Sequence, residues 1–398
     1  MTTYTILIIL SGLVIFSYLF DLFAKQTRFP SVVLLLILGI AGQIIVGYFG
    51  IKTFDFSIIL PALGTIGLIL IVFEGTLELK YDSTKNKLIR TTFFSALIIL
   101  LTTVFTISAI IELITKQPFH ICLINSIPLS IISSAIAIPS AANIAPQKKE
   151  FVIYESSFSD ILGIIFFDFM LHNNVFNPKA FMQLGFDILA IVIIATLFCL
   201  FLIFLIKRIV HPVKFFLIIS ILILAFAVGK QLHLSSLIIV LAFGLFLNNA
   251  GQIDFQFFRN KFLYPNYSND LSQLSQLSAE STFLVRTFFF VLFGFSINLN
   301  QLKQLSVFMY SLLTILVVYI IRLLYLKFIA GTDVIPELFI APRGLISILL
   351  YLSIPDNLKI PAINQGVLVL VVLITTIIMA VGIMRTKRHP IEIITQMN

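Results

Sequence analysis

Long apolar segments recur along the whole chain, and each is long enough to cross a bilayer. A helix of ~20 apolar residues spans the hydrocarbon core, where backbone polar groups must be hydrogen-bonded within the protein. Hydrophobic residues make up 59% of the chain and charged residues 11%, whereas soluble domains carry about 25% charged residues. The sequence therefore predicts an all-α polytopic membrane protein. Its thirteen segments lie at about 4–24, 30–49, 56–79, 91–113, 119–145, 150–171, 180–206, 212–229, 232–250, 280–300, 305–327, 334–355 and 361–384.

If all thirteen segments cross the membrane, basic residues are concentrated in the connections on one side of it. Seventeen Lys and Arg residues fall in the odd-numbered connections and the C-terminal tail, and six fall in the even-numbered connections. Cytoplasmic loops carry such an excess of Lys and Arg. We therefore expect the N-terminus outside and the C-terminus in the cytoplasm, in a plasma membrane such as the bacterial inner membrane. The net charge of +8 then indicates membrane lipid, and not nucleic acid, as the partner of the basic loops.

Cysteine and histidine residues give no indication of an enzyme. Cys122 and Cys199 are isolated in apolar segments, and the histidines lie near segment ends or in loops. The sequence contains no HExxH, CxxC or P-loop pattern. We therefore predict a protein that is not an enzyme and that needs no cofactor.

A few charged residues remain inside the apolar segments. Glu155 and Asp160 lie in the sixth segment, while Arg322 and Arg343 lie in the eleventh and twelfth. A charge near the bilayer centre costs at least ~2.5 kcal/mol, so it normally has a partner, a water-filled cavity or a function. Counting ~1.5 Å per residue from the cytoplasmic end places Glu155 level with Arg322, and Asp160 level with Arg343. We expect Glu155 and Arg322 to form a structural ion pair between helices.

Asp160, near the middle of its segment, is the best candidate for an ion- and proton-binding residue. Ser156 lies one turn earlier on the same helix face, and Ser159 is adjacent. Carboxylate and hydroxyl oxygens suit a small hard cation that has lost part of its water, such as Na⁺ or K⁺. The same carboxylate can instead hold a proton. The alternative is that Asp160 forms a second structural ion pair, with Arg343.

Two segments carry a proline in their interior. The fifth segment carries Pro128 and, at the expected crossing, Ile138 and Pro139, and the twelfth is interrupted at Pro342 and Arg343. Proline frees backbone groups, which are tolerated at membrane depth only where protein or a cavity satisfies them. Matching breaks in two halves of a transporter indicate a binding site between inverted repeats. We therefore predict two discontinuous crossing helices. The two repeats and the helix that links them are expected at about 4–171, 212–384 and 180–206.

Five motifs occur in the order in which they occur in the monovalent cation:proton antiporter superfamily. The chain most closely resembles its sodium/proton exchanger branch, and the resemblance covers nearly the whole sequence. The family patterns are FEG-x-L-E-L, E-S-x-x-N-D, FFF-x-x-x-G, an arginine before the second broken helix, and L-R-G. The matching stretches are Phe73–Leu79, Glu155–Asp160, Phe288–Gly294, Arg322 and Pro342–Leu345.

The resemblance implies a secondary antiporter that exchanges a monovalent cation for a proton by an elevator-like alternating-access mechanism. It assigns the carrier role to Asp160, places Ser159 at the asparagine position of the N-D pair, and pairs Glu155 with Arg322. It also implies a homodimer in which a mobile core slides against a dimerisation domain. The core would comprise about 91–171 and 305–384, and the dimerisation helices about 4–79 and 212–300.

The chain departs from the family at the fifth helix. Relatives carry Thr-Asp-Pro at the crossing, whereas the match here reads Ala137-Ile138-Pro139, without an acid. A cation would then meet one carboxylate, which can hold one proton or one monovalent cation, so we expect electroneutral exchange. Two other interpretations stay open. The chain could be a non-transporting receptor or scaffold that kept the fold. It could also be a proton-coupled carrier that holds organic anions with Arg343 and helix N-termini.

Overall fold

The computed structural model of the chain describes residues 3–27, 30–49, 59–78, 83–141, 144–173, 178–208, 214–232, 236–252, 267–330 and 334–385. Over these residues the chain is helical and contains no strand. Within the same residues, seven helical stretches are long and apolar enough to cross a membrane, and four shorter apolar helices accompany them. The all-helical membrane class is therefore confirmed, while the count of thirteen and the inverted repeats stay predictions.

Most helices begin and end within about five residues of the limits that the apolar segments predict. Two differ more: the helix of the tenth segment begins already at Tyr267, and the helix of the twelfth covers only Leu345–Leu352. In chain order they are α1 (Thr3–Thr27), α2 (Ser31–Tyr48), α3 (Ile59–Glu78), α4 (Asn86–Thr115), α5 (Phe119–Ser130), α6 (Ser134–Ser140), α7 (Pro146–His172), α8 (Pro178–Arg208), α9 (Lys214–Gln231), α10 (Ser236–Asn249), α11 (Tyr267–Ser296), α12 (Leu299–Leu302), α13 (Leu305–Tyr325), α14 (Leu345–Leu352) and α15 (Gln365–Met384). Short 3₁₀ and π turns cover Ser83–Lys85, Ala250–Gln252, Leu326–Ala330 and Asp356–Leu358.

The chain divides into two compact units. In the second unit, Phe56–Asn86 with Ile164–Phe289, helix α10 packs against α3, α8 and α9. In the first unit, α13 packs against α15, α14 packs against α5, and α15 also contacts α6 and α12. The first unit is built from Met1–Asp55, Lys87–Gly163 and Phe290–Asn398. It contains every residue of the candidate site described below.

Two glycines allow α2 to approach the end of α11 within the first unit. A Cβ atom on Gly39 would overlap the carbonyl oxygen of Val291 and lie 3.0 Å from the Cα of Gly294. A Cβ on Gly294 would overlap the carbonyl oxygen of Leu36 in turn. Backbone meets backbone here, as is common where small residues line helix contacts in membranes. Gly294 is the glycine of the FFF-x-x-x-G motif, so this contact gives that position a packing role.

We expect Gly39→Ala to destabilise the protein by about 1–3 kcal/mol, because the new methyl group meets backbone atoms that cannot rotate away. Gly47→Ala is the matched control, since it lies on the same helix and a Cβ there meets nothing within 4 Å. Thermal unfolding of the detergent-solubilised protein should show a lower midpoint for Gly39→Ala and an unchanged or higher midpoint for Gly47→Ala. Equal midpoints would contradict the close contact.

Candidate functional site

The interrupted segments lie against each other in the first unit. Helix α5 ends at Ser130, and α6 begins only at Ser134, after three non-helical residues. The second interruption is longer: residues 340–344 have no regular secondary structure, and α14 begins at Leu345. The backbone N–H of Ser133 donates to the carbonyl oxygen of Pro342 at 2.9 Å, which joins the two interruptions directly. Gly344 lies beside Ser133, and a Cβ there would overlap the Ser133 hydroxyl.

The first interruption is not where the proline predicted it. Ile138 and Pro139 lie inside α6, so their assignment to the helix crossing is wrong. The break at residues 131–133 follows Pro128, which lacks an N–H and weakens the last turn of α5. Side chains of α7 accept hydrogen bonds from the backbone donors that this break frees, as described next. The Ala137-Ile138-Pro139 match therefore does not mark the crossing.

The second interruption also differs from its prediction. The twelfth segment was expected to be a helix broken once near Pro342. Instead, residues 335–339 form turns, and only the part from Leu345 onward is α-helical. Pro342 and Arg343 do lie in the irregular stretch, residues 340–344, between the turns and α14.

Asp160 lies on α7 beside the first interruption. Its Oδ2 accepts a hydrogen bond from the backbone N–H of Ser134 at 3.0 Å, and the residue is only 5% exposed. Its Oδ1 is buried and has no hydrogen-bond partner among the residues that the structure describes. Ser134 itself carries a hydroxyl and not a carboxylate, so no acid stands at this end of the interruption. Asp160 thus has one oxygen held in place and one oxygen unsatisfied.

The two neighbouring serines make different contacts. The Ser159 hydroxyl oxygen accepts a hydrogen bond from the backbone N–H of Ile132 at 2.9 Å, so it also faces the interruption. The Ser156 hydroxyl donates to the carbonyl oxygen of Val152 on its own helix at 2.7 Å. The structure therefore brings Asp160 and Ser159 to the interruption. Ser156 keeps only its oxygen lone pairs for another ligand.

Arg343 does not pair with Asp160. Its Nε donates to the carbonyl oxygen of Leu129 at 2.9 Å and its Nη2 to that of Ser130 at 3.0 Å, while Nη1 donates to the carbonyl oxygen of Ala341 at 2.6 Å. The last carbonyls of a helix lack partners in the helix and carry partial negative charge. The guanidinium therefore neutralises the C-terminal end of α5. The alternative of a structural Asp160–Arg343 ion pair is wrong.

Arg343→Lys should lower stability by about 1.5–3 kcal/mol for each charged hydrogen bond that the ammonium group cannot replace. A lysine places its donors on one nitrogen, whereas the arginine uses three nitrogens to reach two carbonyls at the end of α5 and one at Ala341. Arg90→Lys, at an exposed position on α4, is the control. The measurement is denaturant unfolding of both variants. Equal stability of the two would show that the carbonyl contacts of Arg343 contribute little.

Glu155 and Arg322 form a buried, bidentate ion pair. Arg322 Nη2 lies 2.7 Å from Glu155 Oε2, and Nη1 lies 3.2 Å from Oε1. The Ser95 hydroxyl donates to Oε1 at 2.7 Å, and Arg322 Nε donates to the carbonyl oxygen of Glu337 at 2.8 Å. Both charged residues are at most 1% exposed. The pair links α7 to α13, as the depth count predicted.

Several contact residues escaped the sequence analysis. Glu337 is 5% exposed, and its carboxylate lies 3.3 Å from Lys148 Nζ. Thr375 accepts a hydrogen bond from the backbone N–H of Arg343 at 3.1 Å. Asn125 bonds to a distant segment and is considered separately below. A polar side chain within an apolar segment is the signal that each of them offered.

The candidate site offers oxygen atoms as ligands. Among the described residues, no group of three or more His, Cys, Asp or Glu side chains could hold a metal ion. The site has one carboxylate together with nearby hydroxyl and carbonyl oxygens. Hard cations bind oxygen ligands of this kind.

Comparison with known families decides which class of protein carries this arrangement. The family model described as sodium/hydrogen exchanger, transmembrane, matches residues 10–386. The chain belongs to the sodium/hydrogen exchanger family. This confirms the resemblance that the motifs indicated, and it places the chain among transporters and not in an enzyme class. Comparison with curated proteins gives no match.

Solved structures show the same fold. The chain is similar to the sodium proton antiporter MjNhaP1 from Methanocaldococcus jannaschii at pH 8, with a TM-score of 0.70 and 21% identity over 96% of this chain and 100% of that chain. An electron-microscopy structure of the same antiporter gives a TM-score of 0.69, again at 21% identity, over 96% of both chains. The exchanger fold is therefore present over nearly the full length.

Proposed function

We propose that this exchanger carries a monovalent cation, Na⁺ or K⁺, in exchange for protons, with Asp160 as the residue that holds either of them. The observation that carries the proposal is the unsatisfied Oδ1 of Asp160. A buried polar atom without a partner is costly and calls for an explanation. A proton or a desolvated cation would satisfy this oxygen, and the two would compete for it.

The stoichiometry follows from the number of carboxylates. Ser134, beside Asp160, is not an acid, and Glu155, on the same helix as Asp160, is neutralised by Arg322. One carboxylate holds one proton or one monovalent cation. We therefore propose one-for-one, electroneutral exchange.

Dissipation of a pH gradient in proteoliposomes tests this proposal. Adding Na⁺ or K⁺ should collapse the gradient, and Li⁺ serves as a third cation to rank the preference of the site. An imposed membrane potential should leave the rate unchanged. A voltage-dependent current during exchange would contradict electroneutrality, and a gradient that no cation dissipates would contradict exchange.

The transport movement is proposed to be elevator-like. Supporting this, α5, α6, the start of α7 and α14 belong to the same compact unit. Hydrogen bonds join α6 to α7 and Ser133 to Pro342, and α14 packs against α5. Such a body can carry Asp160 across the membrane as a whole. We further propose a homodimer in a lipid bilayer, with the N-terminus outside and the C-terminus in the cytoplasm of a bacterial inner membrane.

No contact favours the alternative interpretations. All three guanidinium nitrogens of Arg343 already donate to backbone carbonyls, so only two of its five N–H groups are left for the carboxylate of an organic anion. A non-transporting scaffold gives no reason for a buried carboxylate oxygen without a partner.

A further inference from the structure

Asn125 is buried inside α5 and bonds to a segment far along the chain. Its Nδ2 donates to the carbonyl oxygen of Ile121 on the same helix and to that of Leu358, both at 2.8 Å. Its Oδ1 accepts a hydrogen bond from the backbone N–H of Ile360 at 3.2 Å. The residue is 0% exposed. The amide thus uses one donor and its acceptor to join α5 to the segment that follows α14, and its second donor bonds within α5.

The other end of α5 is bonded to the same part of the chain. Arg343 donates to the last two carbonyls of α5, and Ser133 donates to Pro342 just beyond it. Asn125 precedes Ser130 by five residues, about 7.5 Å along the helix axis. Helix α5 is therefore held at two levels: residues 342–343 contact its C-terminal end, and residues 358–360 contact Asn125.

The position of α5 in turn sets the position of the donors at the site. The chain continues from α5 into the interruption, where the N–H groups of Ile132 and Ser134 bond to Ser159 and Asp160. A shift or rotation of α5 moves these N–H groups relative to α7. The hydrogen bond to Asp160 Oδ2 determines how that carboxylate presents its free oxygen.

We infer that Asn125 is a positioning residue for cation exchange. It fixes α5 against residues 358–360 so that the N–H of Ser134 stays aligned with Asp160. The inference rests on the proposed function for its transport readout, but the contact itself can be measured independently. An amide is required, because the position needs two donors and one acceptor on one short side chain.

The test is the dependence of the exchange rate on cation concentration, measured in proteoliposomes with Na⁺ and with K⁺ and normalised to folded protein. Asn125→Leu should raise the half-saturating cation concentration about tenfold and leave the maximal rate within about twofold of the original. The reason is that a misaligned Asp160 binds the cation more weakly. Asn125→Gln keeps the amide on a longer side chain and should give a smaller rise. It also replaces the leucine variant if that one fails to fold.

Ser126→Ala is the matched control. Ser126 is buried on the same helix and bonds only to the carbonyl oxygen of Cys122, within α5. It should leave the half-saturating concentration unchanged. A lower maximal rate at unchanged half-saturation in the Asn125 variants would assign Asn125 a merely structural role and overturn the inference.

Amide hydrogen exchange separates this inference from the proposed function. The N–H of Ile360 should exchange faster in Asn125→Leu than in Ser126→Ala, whether or not the protein transports cations. Equal exchange rates would overturn the contact on which the inference depends. Persistence of cation-coupled proton movement in Asp160→Asn would instead overturn the proposed function.

Discussion

Asp160→Asn should reduce cation-coupled proton movement to the level of protein-free liposomes. An asparagine keeps an oxygen that can accept the hydrogen bond from the Ser134 N–H, so the local geometry should persist. It carries neither a negative charge for a cation nor a titratable proton. Removing a buried charge should leave the thermal stability equal or higher. The measurement is pH-gradient dissipation on addition of Na⁺, K⁺ or Li⁺.

Asp356→Asn is the matched control for this change. Asp356 lies on the surface next to Lys359, and its side chain is 96% exposed. Losing that carboxylate should leave exchange unaltered. If Asp160→Asn exchanged as fast as Asp356→Asn, the carrier role of Asp160 would be wrong. If both variants lost exchange, the effect would not be specific to the buried oxygen.

Breaking the Glu155–Arg322 pair should produce the largest loss of stability. Arg322→Gln leaves Glu155 buried and charged with only the Ser95 hydroxyl to bond it, and such a change costs about 3–5 kcal/mol. Glu155→Gln should be similarly destabilising, because it leaves the guanidinium unpaired. Denaturant unfolding of the solubilised protein measures both. The double variant should be more stable than the sum of the single effects predicts, because two amides leave no buried charge.

A double-mutant cycle gives the coupling energy, which for residues in direct contact is about 0.5–3 kcal/mol. The exposed Asp356–Lys359 pair provides the comparison cycle and should show no measurable coupling. Additive effects of the two substitutions in the buried pair would show that Glu155 and Arg322 stabilise the fold independently. That result would contradict the role of the pair in tying α7 to α13.

The charged residues of the site could be identified from the sequence because charges are rare in apolar segments and helices rise by a fixed length per residue. Depth counting from the segment ends was enough to match Glu155 with Arg322. The same counting placed Arg343 level with Asp160, but it could not show that Arg343 bonds to carbonyls of α5. Backbone partners have no signature in residue type, and Asn125 bonds to the backbone of residues far along the chain.

The position of the first interruption could not be predicted for a related reason. Pro128 and Pro139 both marked a possible break, and the sequence placed the crossing at Pro139, which is instead accommodated near the end of the short helix α6. The break occurs where Ser159 and Asp160 accept hydrogen bonds from the freed N–H groups of Ile132 and Ser134. Those acceptors lie on a different helix, so only the packed structure identifies them.

The most direct test of the account is the number of protons released when a cation binds to the detergent-solubilised protein. The measurement starts from cation-free protein in weakly buffered solution, acidic enough for Asp160 to be protonated, and adds saturating Na⁺ or K⁺. We expect one proton to be released per chain from the original protein and none from Asp160→Asn. Cation binding without proton release, or release that persists in Asp160→Asn, would contradict the claim that one carboxylate holds either the cation or the proton.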